Sequence, residues 1–438
     1  MNVIHIVCKL NENDSFQISP KALYINLSNK KDYHYTFWNV DRNHNEKLKL
    51  LPNFFSEEGL DLLYLSLFVY YADRRIKREM FPDAWTRNFK LYIPVLSLNK
   101  WKSQKELLEK LLSFLSGDVW TIIFRKRQFN KIENDFIEKQ RKAKGDKIIS
   151  NIFSMLSGGF DSFIGAIDLL EKQNNIIFIN HYGGGPSGSI FINSVKESLN
   201  KKYGNSKEYN VFKFHAAVKK GTEDTTRTRS FMFFAHAIAL ATTMNDKVKL
   251  YIPENGLISL NIPLTNSRLG SSSTRTTHPY YMEKLQELLN NLNIAVILKN
   301  PYQFKTKGEM ILDCQNISFL KDNCENTISC SHPDVGRYRK ESEPSHCGIC
   351  YPCVIRRAAF MKANIIDSSL YRDLKFTSGD TAKNNFSVYK IGLLKYKKQL
   401  LNTYSQIQIS GELNTDIEQY KSLYERGMQE LSDFIESI

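Results

Sequence analysis

Between residues 148 and 300 short apolar runs alternate with amphipathic ones, and this alternation restricts the fold more than any other feature of the chain. The runs IISNIFSML (148–156), NNIIFINH, YNVFKFHA, VKLYIPE and IAVILKN are rich in β-branched and aromatic residues. They read as strands buried on both faces, as in a parallel sheet. Between them FIGAIDLLEKQ, SIFINSVKESLNKKY, RSFMFFAHAIALATTM and HPYYMEKLQELLNNL read as helices. Repeated strand–helix alternation predicts an α/β fold with a doubly wound parallel sheet.

With 438 residues the chain is too long for one ordinary core. Residues 1–145 read as an N-terminal α+β domain, with strands VIHIVCKL, YINLS, YHYTFWNV, KLYIPVL and WTIIFRKR. Helices are expected from Ser56-Glu57-Glu58 and from Ser103. No catalytic motif occurs there, so recognition, docking or dimerisation is its expected role. Residues 146–375 form the α/β domain, and 376–438 read as a C-terminal helical extension.

No apolar run approaches the roughly 20 residues that span a bilayer, which excludes a helical membrane protein. MNVIHIVCKLNEND reads as a first strand and not as a signal peptide, so a cytoplasmic location is expected. The net charge of +14 favours polyanionic partners, but the excess is spread along the chain. The one dense stretch, 125–147, reads as a solvated helix and linker, with a nucleic-acid groove as the weaker alternative.

Ser157-Gly158-Gly159-Phe160-Asp161-Ser162 joins the first strand of the alternating region to a helix. Two glycines let backbone N–H groups approach an anion, and a helix N-terminus favours negative charge. Ser157 and Ser162 add hydroxyl donors. Asp161 fits an anion site if it holds a Mg²⁺ that bridges phosphates. The loop lacks the Lys of GxxxxGK[ST], so it is not a Walker A loop. His181-Tyr182-Gly183-Gly184-Gly185-Pro186 ends the second strand, either close to an adenine or as a flexible loop only.

Seven cysteines are unevenly placed. Cys8 is expected in a core strand. Cys330, Cys347, Cys350 and Cys353 can supply four thiolates to one tetrahedral Zn²⁺. An iron–sulfur cluster is the competing metal, and His332 and His346 are substitute ligands. Cys314 and Cys324 have poorer spacing.

SGGFDS resembles the SGGxDS loop of PP-loop ATP pyrophosphatases, which have the adenine nucleotide alpha hydrolase-like fold. Followed by SC…CGICYPC, it resembles the 7-cyano-7-deazaguanine synthases, the QueC-like branch of that family. Arg229-Ser230 before an Ala-rich helix and Pro301-Tyr302…Thr306-Lys307-Gly308-Glu309 agree with this. The resemblance covers about 148–365. It implies that Ser157, Gly158, Gly159, Phe160, Asp161 and Ser162 hold ATP and Mg²⁺, and that the four cysteines hold zinc. It implies charge neutralisation by Arg229 and Lys307, and adenylation of a 7-deazaguanine carboxylic acid with release of pyrophosphate.

The segment Pro253-Glu254-Asn255-Gly256-Leu257 and the polar stretch SRLGSSSTRTTHP depart from the biosynthetic enzymes. With the flanking regions, they bring the chain closer to the QueC-like component of Qat-type anti-phage systems. There the activated acid is expected to pass to an amine of a partner protein from the same operon. Glu254 and Asn255 are the candidate substrate residues; Glu254 could bind a base edge or the Ser/Thr-rich loop. A tRNA-modifying PP-loop enzyme and a nucleotide-binding subunit of a defence complex are the alternative functions.

Overall fold

A computed structural model of the chain describes residues 3–19, 21–36, 47–181, 186–219, 221–263, 275–339, 343–398, 400 and 402–438. Tyr182–Gly185 of the glycine run and most of SRLGSSSTRTTHP lie outside the described residues, as does the end of YHYTFWNV.

Five strands fall in the first part of the chain: β1 (Ile4–Lys9), β2 (Ala22–Asn26), β3 (Tyr33–Thr36), β4 (Asn88–Val95) and β5 (Val119–Lys126). The first sheet has the order β2-β1-β4-β5, and its three pairings are all parallel. The expected α+β organisation of residues 1–145 is therefore corrected to α/β. Parallel neighbours need a crossover. Helices α1 (Glu57–Arg75), α2 (Leu98–Ser103) and α3 (Lys105–Ser116) lie between strands of this part, and α4 (Lys131–Lys142) follows β5. The Ser56 hydroxyl caps α1 by accepting from Gly59 N–H at 3.0 Å. Cys8 is fully buried in β1, as expected. Arg87, also fully buried, bridges the carboxylates of Asp73 and Asp118 at 2.5 and 2.7 Å.

The alternating region supplies β6 (Ile152–Met155), β7 (Ile176–His181), β8 (Tyr209–Val218), β9 (Val248–Tyr251) and β10 (Val296–Lys299). Helices α5 (Phe160–Lys172), α6 (Pro186–Tyr203), α7 (Arg229–Ala241), α8 (Gly256–Ser259) and α9 (Pro279–Asn291) fall between them. The second sheet has the order β10-β9-β6-β7-β8-β3, with β3 antiparallel to β8. The order turns around at β6, with β7 and β8 on one side and β9 and β10 on the other. Such a turning point is where open α/β sheets place ligands, beyond the strand ends. The SGGFDS loop leaves β6 at this point.

The C-terminal part is helical: α10 (Lys307–Leu312), α11 (Ile317–Asn323), α12 (Tyr351–Lys362), α13 (Asp380–Lys397), α14 (Thr403–Ile407) and α15 (Ile417–Glu436). Leu257 of α8, Val354 and Ile355 of α12, Leu393 of α13 and Leu423, Met428 and Leu431 of α15 share one core. The chain divides into two compact units. One is Met1–Phe153, Phe212–Leu250 and Tyr281–Leu298; the other is Ser154–Val211, Tyr251–Tyr280 and Lys299–Ile438. Among the described residues no helix is long and apolar enough to cross a membrane.

Candidate functional site

The loop after β6 folds on itself before α5 begins. Gly158 has φ +76°, and a Cβ there would lie 2.8 Å from the Ile192 backbone nitrogen, so only glycine fits both the conformation and the space. Ser157 N–H donates to Ser162 Oγ at 3.2 Å, the two serine hydroxyls lie 3.1 Å apart, and Ser162 Oγ donates to Gly159 O at 2.9 Å. Gly159 is the N-cap of α5 and caps nothing with a side chain. The Phe160 ring, the Phe360 ring and the Arg356 guanidinium cluster together, with Phe360 5.1 Å from Phe160 and the guanidinium 4.6 and 5.2 Å from the two ring centroids. Arg356 is fully buried; its charge meets Asp367 at 2.9 Å and its remaining donors reach Thr327, Cys324 and Ser369.

Asp161 stands on the first turn of α5 and is 6% exposed. One carboxylate oxygen accepts from Asn255 N–H at 3.0 Å and Asn255 Nδ2 at 2.7 Å. The other meets the ammonium of Lys307, itself 5% exposed. Burial alone would raise the Asp161 carboxyl; the Lys307 charge and the Asn255 amide outweigh it and hold the group below its usual range. Asn255 is fully buried and caps α8, its Oδ1 accepting from Ile258 N–H at 3.0 Å. Lys307 is fixed by the start of α10, where Thr306 and Glu309 form a capping box.

Asp161, Lys307 and the loop line one pocket of about 330 Å³. Ser157, Gly159, Phe160, Asp161 and Ser162 form one side, with Glu254 and Lys307 beside them. Ser329, Ser331, His332, Cys350, Tyr351 and Pro352 come from the cysteine-rich region, and Asn385 and Tyr389 from α13. The lining thus carries four serines and one lysine together with the carboxylates of Asp161 and Glu254; the loop's place at the start of a helix favours an anion there.

Cys330, Cys347, Cys350 and Cys353 bring their sulfurs within 4.8 Å of one another, a group that could hold a metal ion. Cys330 Sγ accepts from His332 and Cys347 N–H, and Cys347 Sγ from Cys350 N–H, each at 3.3 Å. Such N–H···S bonds favour thiolates. Gly348 has φ +85°, and a Cβ there would collide with the Asp373 carbonyl oxygen. None of the seven cysteines is in a disulfide; Cys314 and Cys324 are buried and stand outside the group. His346 Nδ1 lies 3.8 Å from Cys353 Sγ, beside the group and not within it.

The structure thus brings Ser157, Gly159, Phe160, Asp161, Ser162, Glu254 and Lys307 into the lining of one pocket that Cys350 also lines; Asn255 is not among its lining residues and bonds instead to Asp161. Arg229 belongs to the other compact unit, at the start of α7, with its guanidinium 5.0 Å from the Phe233 ring centroid. Sequence reasoning missed Arg356, Ser329 and the two α13 residues. Arg356 carried a signal, a charge inside the apolar helix VIRRAAF; the others carried none. No protein-family model matches this chain, and no curated protein matches it either.

Proposed function

We propose that the pocket cleaves ATP between its α and β phosphates to activate a carboxylic acid, as a PP-loop ATP pyrophosphatase of the QueC-like type. One observation carries this: SGGFDS leaves the strand where the sheet order turns around, and it lines a pocket that also contains a buried lysine paired with Asp161. The loop amides and the Ser157 and Ser162 hydroxyls would hold the phosphates that leave. Lys307 would neutralise charge growing on them, in an electrostatic role prepared before the nucleotide arrives.

Asp161 commits its oxygens to Asn255 and Lys307, so it does not fit a primary Mg²⁺ ligand. Its role is to position Lys307. The four cysteines fit Zn²⁺, a closed set of soft donors without an open position, which is the form of a structural site. Charge neutralisation by Arg229 rests on the family resemblance.

The acid is proposed to be a 7-deazaguanine carboxylic acid. Its carboxylate oxygen attacks the α-phosphorus, the bond to the bridging oxygen breaks, and pyrophosphate leaves with the electron pair. An amine then attacks the acyl carbon, AMP departs and the nitrogen loses a proton, giving an amide. The acceptor is ammonia, with a second activation leading to the nitrile, or an amine of a partner protein in anti-phage defence. Residues 1–145 would dock that partner. Titration calorimetry of the deazaguanine acid, in the presence of a non-hydrolysable ATP analogue, should show saturable binding to one site. Absence of binding, with ATP turnover stimulated by bulk tRNA, would favour a tRNA-modifying enzyme instead.

A further inference from the structure

The first cysteine of the metal group is carried by a segment that also reaches the phosphate loop. Ile328 N–H donates to the Gly158 carbonyl at 3.1 Å. On its other side the segment is pinned at Thr327, whose hydroxyl donates to Cys324 O at 2.6 Å and accepts from Arg356 at 2.8 Å. Three residues after Thr327, Cys330 Sγ receives the N–H groups of His332 and Cys347. Ser329 lies between these anchors, with little freedom to move its backbone.

Ser329 lines the pocket, and its hydroxyl is buried without a hydrogen-bond partner. Ser157 and Ser162 across the same pocket are bonded to each other and to their own loop. A buried hydroxyl left unpaired is unfavourable, and a water, an ion or a ligand group normally satisfies it. The backbone bond from Ile328 to Gly158 ties the segment that carries Ser329 to the SGGFDS loop, and both line the same pocket.

We propose that Ser329 is a phosphate-binding residue, its hydroxyl donating to an oxygen of the pyrophosphate moiety held on residues 157–162. The anion site is then built from two separate segments, the SGGFDS loop and the irregular stretch that leads into Cys330. The identity of the anion rests on the PP-loop reading; the part played by Ser329 is tested separately from it.

The test uses the full chain and Mg²⁺-pyrophosphate as probe, followed by calorimetry, with metal content measured on every variant. Ser329→Ala should bind about 10–100-fold more weakly, the usual range for losing a hydrogen bond to a charged group. Ser329→Thr keeps a hydroxyl and should stay within about threefold of wild type. Both should retain the metal. Unchanged binding by Ser329→Ala would overturn the proposal while leaving the pyrophosphatase reading intact. If the wild-type protein binds neither pyrophosphate nor ATP, both fall together. Should Ser329→Ala fail to fold, a crystal structure of the wild type with Mg²⁺-pyrophosphate decides. A phosphate oxygen within hydrogen-bond distance of Ser329 Oγ supports the proposal, and one out of reach overturns it.

Discussion

Asp161 and Lys307 form an ion pair that is almost wholly buried, and its two halves depend on each other. Removing one partner of such a pair leaves an uncompensated charge and costs about 3–5 kcal/mol, whereas removing both costs far less. Asp161→Asn and Lys307→Met should therefore each lower unfolding free energy by about that amount. The double variant should be more stable than the sum of the two losses predicts, yet inactive. Urea denaturation of the four proteins measures this, and strictly additive losses would contradict the pairing. The sequence named both residues, through the loop motif and through the Thr306–Glu309 segment, but could not show that they meet across 146 positions. Asn255 was assigned to the substrate. It instead caps a four-residue helix too short to leave a periodic pattern, and it holds Asp161. Arg356 escaped notice because an arginine on a helix normally carries its charge to water; here Asp367 and Thr327 satisfy it inside.

At the level of elements, α15 reaches the site through Glu430. Its carboxylate accepts from the Thr306 hydroxyl that caps α10, the helix that starts with Lys307. Burial raises the Glu430 carboxyl from 4.5 to about 7. The unfolded chain ionises near 4.5 while the folded one holds its proton. The stabilising contribution is thus complete below that pH and is lost as pH rises through about 7. Wild-type protein should have a lower urea midpoint at about pH 8 than at about pH 5, and Glu430→Gln should flatten that difference. An equal fall in both proteins would place the titration elsewhere. The capping box that seats Lys307 has the T-x-x-E spacing and could have been read from the sequence. The contact with Glu430 could not, because it joins positions 124 residues apart. Strand positions were legible from apolar runs; strand partners were not. The parallel pairing of β1 with both β2 and β4, where an α+β arrangement was expected, is set by crossovers that local pattern does not reveal.

For the molecule as a whole, the cysteine group and the pocket proposed to bind ATP lie within the same compact unit, so metal loss should be felt in both. The purified protein should contain one equivalent of zinc. Chelation or Cys353→Ser should lower its melting temperature, because the metal's binding energy is part of the folding energy. Iron with a visible absorption band would instead indicate an iron–sulfur centre. The central claim is the position of bond cleavage in ATP, and product analysis with α-labelled ATP tests it most directly. In the presence of the deazaguanine acid and an amine, the label should appear in AMP, matched mole for mole by pyrophosphate, and Lys307→Met should abolish both. Label in ADP, with inorganic phosphate as the other product, would contradict the account.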